Sequence, residues 1–164
     1  MSHLHNPFRY DYVGSFLRPE NLKQARRAFD EGKIDYAKLK EVEDQAITDM
    51  ITKVKSLGYH VITDGEFRRA TWHLDFMWGL DGVGHVKTKT GLPFHGEAAM
   101  IDDTYLVGKI GLSKEHPFVE HFRFVKQFED ENTVAKQTIP APAQVLAQFT
   151  MPFNREATEK FYDS

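Results

Sequence analysis

The chain has 164 residues, 41% hydrophobic and 27% charged, which supplies enough apolar material for a core and predicts a soluble globular protein. Its 21 Lys and Arg against 24 Asp and Glu give a formal net charge of −3, so neither nucleic acid nor a membrane is an expected partner. The absence of Cys excludes disulfides, thiol nucleophiles and thiolate metal ligands from this chain. No apolar run could cross a bilayer and no secretory signal is evident, so we expect a cytoplasmic protein.

The first third of the chain predicts one strand followed by two helices. The strand covers residues 10–13, and the first helix covers about 19–31 with Leu22, Ala25, Ala28 and Phe29 inward. A longer helix begins at Asp35, which can cap its first turn, and ends before Gly58. Its apolar stripe consists of Leu39, Val42, Ala46, Met50, Val54 and Leu57.

Two further strands are predicted, at 59–63 and 133–139, each ending in turn residues. A helix over 117–128 precedes the later strand, and another over 143–149 follows it. Alternating strands and helices of this kind form parallel sheets with right-handed crossovers. The glycine-rich stretch 80–112 predicts one or two β-hairpins inserted in a βα connection. Residues 154–164 predict a helix without a stop signal.

Polar residues after strands collect at the carboxyl edge of a parallel sheet, where ligands bind. Gly14 and Ser15 follow the first strand and offer N–H groups and a hydroxyl to a carboxylate or phosphate; the alternative is an ordinary glycine turn. Asp64 and Glu66 follow the second strand, and two arginines come after them, following Phe67. Such carboxylates could hold an ammonium, a metal or a proton; the alternative is a turn with Arg–Asp pairing at the surface.

The eight histidines contain no pair at helix-face metal spacing, so structural roles are favoured over a metal site. His3 and His5 could bind a metal adventitiously, and His73, just beyond the Asp-Gly-Glu turn, is the histidine best placed for a site. Nearby aromatic residues could line a cleft for a flat ligand or pack as core. They are Phe67, Trp72, Phe76, Trp78 and Phe94.

Three motifs in order carry a family resemblance: V-G-S-F-L-R-P at 13–19, G-Y-H-V-I-T-D-G-E-F-R-R at 58–69 and T-I-P-A-P at 138–142. Together they resemble the cobalamin-independent methionine synthase family, in particular short bacterial members related to its C-terminal catalytic domain. The resemblance implies an α/β fold, the N-terminal part of a (β/α)₈ TIM barrel. It also implies methyl transfer from a methyltetrahydrofolate to the thiol of homocysteine, with zinc and without cobalamin.

The resemblance implies a binding set drawn from the first two motifs: Val13, Gly14, Ser15 and Glu66, with Arg18 and Asp64 beside them. In the family, the first three positions contact homocysteine and the glutamate holds its ammonium. The residue types alone suggest the same assignment. The N–H donors of the first motif suit the carboxylate of an amino acid, and the acid of the second motif suits its ammonium. No catalytic residue is assigned.

The chain is short for the fold it resembles, because such a barrel usually needs about 250 residues. We therefore expect 1–164 to be a single partial barrel domain of about three βα units, truncated at its C-terminus. The zinc ligands of the family, a His, a Glu and two Cys on later strands, cannot be placed here. The alternatives are a non-catalytic part-barrel that binds a small ligand or self-associates through open edges, and a methyltransferase with another donor or thiol acceptor.

Overall fold

A computed structural model shows a mixed α/β chain, which confirms the class predicted from the sequence. No helix in the part of the chain that it describes is long and apolar enough to cross a membrane. The described residues are 11–86, 92–94, 97–99 and 102–162.

The chain divides into two compact units, each built from two separate stretches of sequence. The first unit joins Met1–Arg69 to Glu120–Thr138. The second unit joins Ala70–Val119 to Ile139–Ser164. Two of the three sequence motifs therefore lie wholly within the first unit, and the third motif begins at its last residue.

Helices α1, Glu20–Asp30, and α2, Tyr36–Ser56, confirm the two helices predicted in the first unit. The Asp35 carboxylate caps α2 by accepting the Lys38 N–H at 2.8 Å, because the first turn of a helix has no backbone acceptor for it. Gly58 follows the last turn at φ +81°, a conformation that glycine adopts without steric cost.

The buried face of α2 is rotated slightly from the predicted stripe. Ile47 and Ile51 are completely buried, although neither belongs to that stripe. Leu57 was predicted to lie inward but is 66% exposed, because it is the C-cap residue and no longer follows the helical direction. Phe29 of α1 is likewise exposed. The core of this unit consists of Leu22, Ala46, Ile47, Ile51, Val54, Ile62, Phe67 and Val125.

Strands β1, Val61–Ile62, and β6, Val134–Ala135, pair in parallel and so confirm the predicted βαβ order, with fewer residues than expected. Helix α4, Pro117–Lys126, precedes β6 along the chain as predicted. Two backbone hydrogen bonds of 2.8 Å link the strands. The Val134 N–H donates to the His60 carbonyl, and the Lys136 N–H donates to the Ile62 carbonyl. The parallel sheet of the described residues therefore has two strands.

The first predicted strand is wrong for residues 11–13, which have no strand conformation. The Lys136 ammonium donates to the Tyr12 carbonyl at 2.5 Å and to the Asp11 carboxylate at 2.6 Å. The Tyr12 ring packs edge-on against Phe16 and Tyr59. A side-chain donor thus takes the carbonyl that a neighbouring strand would otherwise bond.

The second unit contains the inserted hairpins expected between 80 and 112. Strand β2, Asp81–Val86, pairs antiparallel with β5, Asp103–Gly111, and β3, Leu92–Phe94, pairs antiparallel with β4, Glu97–Ala99. The core of this unit is formed by four side chains from its helices and sheet: Leu74, Met77, Leu106 and Phe149.

Three helices complete the second unit. Helix α3, Leu74–Trp78, was not predicted, and α5, Pro142–Thr150, agrees with the helix predicted over 143–149. Helix α6, Pro152–Glu159, ends within the chain, so the expectation of a helix without an end is wrong. The Thr158 carbonyl accepts the N–H groups of Phe161 and Tyr162 at 3.0 and 3.1 Å, and this turn closes the helix.

Strand β2 makes an irregular step between Asp81 and Val83, where the pairing register shifts. Gly82 lies at this step with φ +79°. A Cβ at Gly82 would approach within 2.8 Å of the Lys109 carbonyl carbon, which is closer than packed atoms allow. The irregular step therefore requires glycine both for its backbone conformation and for its contact with β5.

Replacing this glycine should destabilise the second unit. Gly82→Ala should lower the free energy of unfolding by about 2 kcal/mol or more, because left-handed strain and overpacking add. Denaturant unfolding followed by circular dichroism measures the change. Gly108→Ala is the control, since its Cβ would meet only the Gly82 Cα at 3.6 Å. Equal losses in the two variants would contradict this explanation.

Candidate functional site

The turn after β1, residues 64–69, is the structural centre of the candidate site; we call it the acidic turn. Gly65 and Glu66 both have positive φ, +63° and +58°. The Glu66 N–H donates to the Asp64 carboxylate at 2.9 Å, and the Phe67 N–H donates to the Asp64 carbonyl at 3.2 Å. Asp64 thus uses its side chain to hold the turn, as Asp commonly does.

Among the described residues, Glu66 is the one residue other than glycine with positive φ. This conformation costs an L residue roughly 1–2 kcal/mol. A glycine would suit the backbone better, which makes the Glu66 side chain a candidate for a functional role. Strain of this kind concentrates at binding and catalytic sites.

Two residues of the first motif donate hydrogen bonds to the acidic turn. The Phe16 N–H donates to the Gly65 carbonyl at 3.1 Å. The Arg18 guanidinium donates to the carbonyls of Glu66 and Arg69 at 2.8 and 2.6 Å. The structure therefore brings residues of the first two motifs into contact.

The predicted ligand-contacting residues of the first motif remain accessible beside this junction. Val13 is 84% exposed and Ser15 is exposed, while Gly14 has φ +92°. Arg18 has a different role from theirs, because its guanidinium bonds backbone oxygens of the acidic turn. The first motif thus contains two kinds of residue: Val13 and Ser15 are exposed, and Arg18 stabilises the turn.

The third motif reaches the acidic turn through Arg69, a contact that the sequence did not reveal. Arg69 is 2% exposed, and its Nη2 donates to the Thr138 carbonyl at 2.8 Å and to the Thr138 hydroxyl at 3.1 Å. Its Nη1 lies 3.4 Å from Glu66 Oε1. The Thr138 hydroxyl donates to the same Glu66 oxygen at 3.3 Å.

The two carboxylates of the acidic turn are buried close to one shared arginine. Asp64 and Glu66 are 2% and 7% exposed, and Arg69 is the cation placed between them. Asp64 Oδ2 is buried without a hydrogen-bond partner, and both contacts of the Glu66 carboxylate use Oε1. Two carboxylate oxygens therefore lack partners within the described residues, and a cationic donor would satisfy them.

A second cluster of charged side chains connects the acidic turn to helices α1 and α2. Arg26 donates to the Phe67 carbonyl at 2.5 Å and to the Glu43 carboxylate at 3.0 Å. Arg68 bonds Glu43 at 3.1 Å and also bonds Asp44. Burial raises the pKa of Glu43, while the two arginines beside it act in the opposite direction. The Arg–acid pairing is thus buried, and the surface turn considered from the sequence is wrong.

His73 lies in the second unit and precedes α3. Its ring packs against Trp72 with a centroid distance of 4.3 Å. Its Nδ1 is buried without a hydrogen-bond partner in the described residues, and burial lowers its pKa. This burial favours the neutral form of the imidazole. His3 and His5 lie outside the described residues.

The aromatic residues considered as a cleft divide among separate environments. Phe67 lies in the core of the first unit, which confirms the packing alternative for that residue. In the second unit, Phe76 packs against His116, and the Trp78 ring stacks on the His85 ring with a centroid distance of 3.8 Å. The Phe94 side chain lies outside the described residues.

The part of the chain that the structure describes does not assemble the donors of a zinc site. No group of three His, Asp or Glu side chains within the described ranges is placed to hold a metal ion. The sequence also contains no Cys. Structural and catalytic zinc sites need three or four such ligands, so the residues present do not fit a zinc ion.

Comparison with known proteins gives a family and two long relatives. The family described as cobalamin-independent synthase, catalytic domain, matches residues 10–99. The uncharacterised protein YxjH of Bacillus subtilis strain 168 is 36% identical over 96% of this chain and 40% of its own length. YxjG of the same strain is 39% identical over 83% of this chain and 35% of its own length. The chain thus spans well under half of these relatives.

Two solved structures are also similar. A Listeria monocytogenes protein, proposed to be a vitamin-B12-independent methionine synthase, is 39% identical with a TM-score of 0.70, covering 87% of this chain and 39% of that one. A B12-independent methionine synthase from Shewanella sp. W3-18-1, solved with selenomethionine, is 20% identical with a TM-score of 0.52. That alignment covers 70% of this chain and 32% of the other, and it supports the fold alone.

The strain at Glu66 can be measured by comparing two substitutions that both remove the carboxylate. Glu66→Gly should be more stable than Glu66→Ala by about 1 kcal/mol, because only glycine adopts positive φ freely. Denaturant unfolding gives both values. Glu41, exposed in α2, is the control position, where the order should reverse because alanine favours helix. An alanine variant at 66 as stable as the glycine variant would rule out backbone strain.

Proposed function

This chain belongs to the catalytic-domain family of cobalamin-independent methionine synthase, and on that premise we propose that it carries the amino-acid-binding part of a methyltransferase. The proposed acceptor is homocysteine or a related thiol amino acid, the donor is methyltetrahydrofolate, and the reaction of the family uses zinc. The observation that carries the proposal is the acidic turn itself, where Asp64 Oδ2 is buried without a partner among the described residues and the contacts of Glu66 with Arg69 and Thr138 use Oε1, beside the exposed first motif.

The proposed binding mode assigns opposite charges of the amino acid to the two motifs. Glu66 Oε2 accepts the ligand ammonium, and Asp64 supplies further negative charge behind it. The N–H groups and hydroxyl of Gly14 and Ser15 donate to the ligand carboxylate. Arg18 stabilises the turn on which Glu66 lies, since its guanidinium donates to two backbone carbonyls of that turn.

A thioether or thiol side chain would lie against the apolar surface of the first motif. Val13 and Leu17 are 84% and 97% exposed, which is unusual for large apolar side chains. An amino acid with an unbranched, sulfur-containing side chain combines the apolar and charged groups that this surface can bind. The Shewanella relative was solved with selenomethionine, which belongs to this chemical class.

The proposal assigns this chain binding and orientation of the amino acid. When bound, zinc lowers the pKa of the acceptor thiol and so supplies the nucleophile. The residues present do not fit zinc, so we assign no step of the methyl transfer to them. We propose a cytoplasmic protein and a partial barrel over 1–164 on the same grounds as the family assignment.

Calorimetric titration of the full chain with L-methionine, the product amino acid, tests the proposal. Glu66→Gln should weaken binding by about tenfold or more, because a charge-assisted hydrogen bond is lost. Glu20→Gln is the matched control, since Glu20 is exposed and pairs only with residues of α1. An unchanged affinity in Glu66→Gln would remove Glu66 from the site.

The 2-hydroxy analogue of methionine extends this test to the ligand. It lacks the ammonium, so it should bind the unmodified chain more weakly than methionine, and Glu66→Gln should weaken its binding no further. Failure of the unmodified chain to bind methionine would contradict the proposal.

A further inference from the structure

The contacts of Arg69 differ in length in a way that indicates its role. Its Nη2 bonds the Thr138 carbonyl at 2.8 Å, a distance typical of a strong hydrogen bond. Its Nη1 lies 3.4 Å from Glu66 Oε1, whereas charge-assisted pairs in direct contact are usually about 2.7–2.9 Å apart. Arg69 is therefore anchored by the third motif and is only loosely paired with Glu66.

Thr138 acts on Glu66 from the same side. Its hydroxyl lies 3.3 Å from Glu66 Oε1, the oxygen that Arg69 also contacts. Both groups hold one oxygen of the carboxylate and leave the other for a ligand. A tighter ion pair would neutralise the carboxylate and compete with the ligand ammonium.

The backbone of the acidic turn requires such support. Glu66 has φ +58°, a strained conformation that persists only where the surrounding contacts hold it. The Arg69 N–H donates back to the Glu66 carbonyl at 3.2 Å, which places the guanidinium on the same turn. Arg69 thus joins the strained residue to the third motif, which lies 69 residues later in the chain.

We propose that Arg69 and Thr138 are positioning residues that direct the Glu66 carboxylate toward the ammonium of the amino-acid ligand. This inference rests on the proposed function, because it takes Glu66 to be the ammonium acceptor. The third motif then contributes to ligand selectivity through the orientation of Glu66 and through no ligand contact of its own.

The test compares two ligands, L-methionine and its 2-hydroxy analogue, by calorimetric titration of the full chain. Thr138→Val removes the hydroxyl and keeps the carbonyl that anchors Arg69. It should weaken methionine binding about threefold to tenfold and leave the hydroxy analogue unchanged, because the long hydrogen bond from Thr138 to the Glu66 carboxylate is lost together with the bond from Arg69 to the Thr138 hydroxyl. Thr138→Ser should restore the methionine affinity. A general structural role would weaken both ligands alike.

Arg69→Lys is the second variant, and its folding is checked by circular dichroism. It should reduce the preference for methionine about tenfold, because lysine cannot bond Thr138 and Glu66 together in a fixed planar geometry. If this variant does not fold, the comparison of Thr138→Val with Thr138→Ser is the test of the proposal.

The outcomes separate this inference from the proposed function. No preference for methionine over the hydroxy analogue in the unmodified chain would overturn the role of Glu66 and the proposed function with it. A preference that persists unchanged in Thr138→Val would overturn the positioning role and leave the proposed function standing. Loss of the preference in Thr138→Val and its return in Thr138→Ser would support the inference.

Discussion

The first unit depends on the backbone of the acidic turn, whose carbonyl oxygens accept hydrogen bonds from three residues outside it. Phe16 and Arg18 of the first motif bond one part of it, and Arg26 of α1 bonds the Phe67 carbonyl. Buried carbonyls need such partners, because an unsatisfied one costs about 1–3 kcal/mol. The arginines therefore satisfy the strained turn and also connect it to the helices. The two carboxylates are left facing this junction with one cation between them.

Features of the fold that depend on local signals could be predicted from the sequence. The start of α2 at Asp35 and its end before Gly58 follow from capping and from glycine's freedom at positive φ. The first strand could not be predicted correctly, because the Tyr12 carbonyl is bonded by Lys136, 124 residues later. Helix α3, Leu74–Trp78, has five residues, too few to show a helical period. Distant partners and short elements are thus where local patterns fail.

The site divides in the same way. The rule that polar residues follow the strands of a parallel sheet singled out Asp64 and Glu66 after β1, but it could not place the first motif, which follows no strand among the described residues. Sequence patterns could not show that Arg69 is buried or that it reaches Thr138, because such pairing depends on the folded chain. The positive φ of Glu66 was also unexpected, since glutamate has no local preference for that conformation. The strained glutamate and the buried arginine are thus the features that only the structure reveals.

The discontinuity of the first unit has a consequence for its synthesis. Arg69 and Thr138 are 69 residues apart, and the ribosome adds residues at about 5–20 per second. Asp64, Glu66 and Arg69 therefore emerge several seconds before the residue that anchors the guanidinium. During that interval the growing chain holds a cluster of charges that cannot yet be buried with its full set of partners. The first 69 residues are thus dependent on a later segment, and the acidic turn acquires its full set of contacts only when translation has passed Thr138.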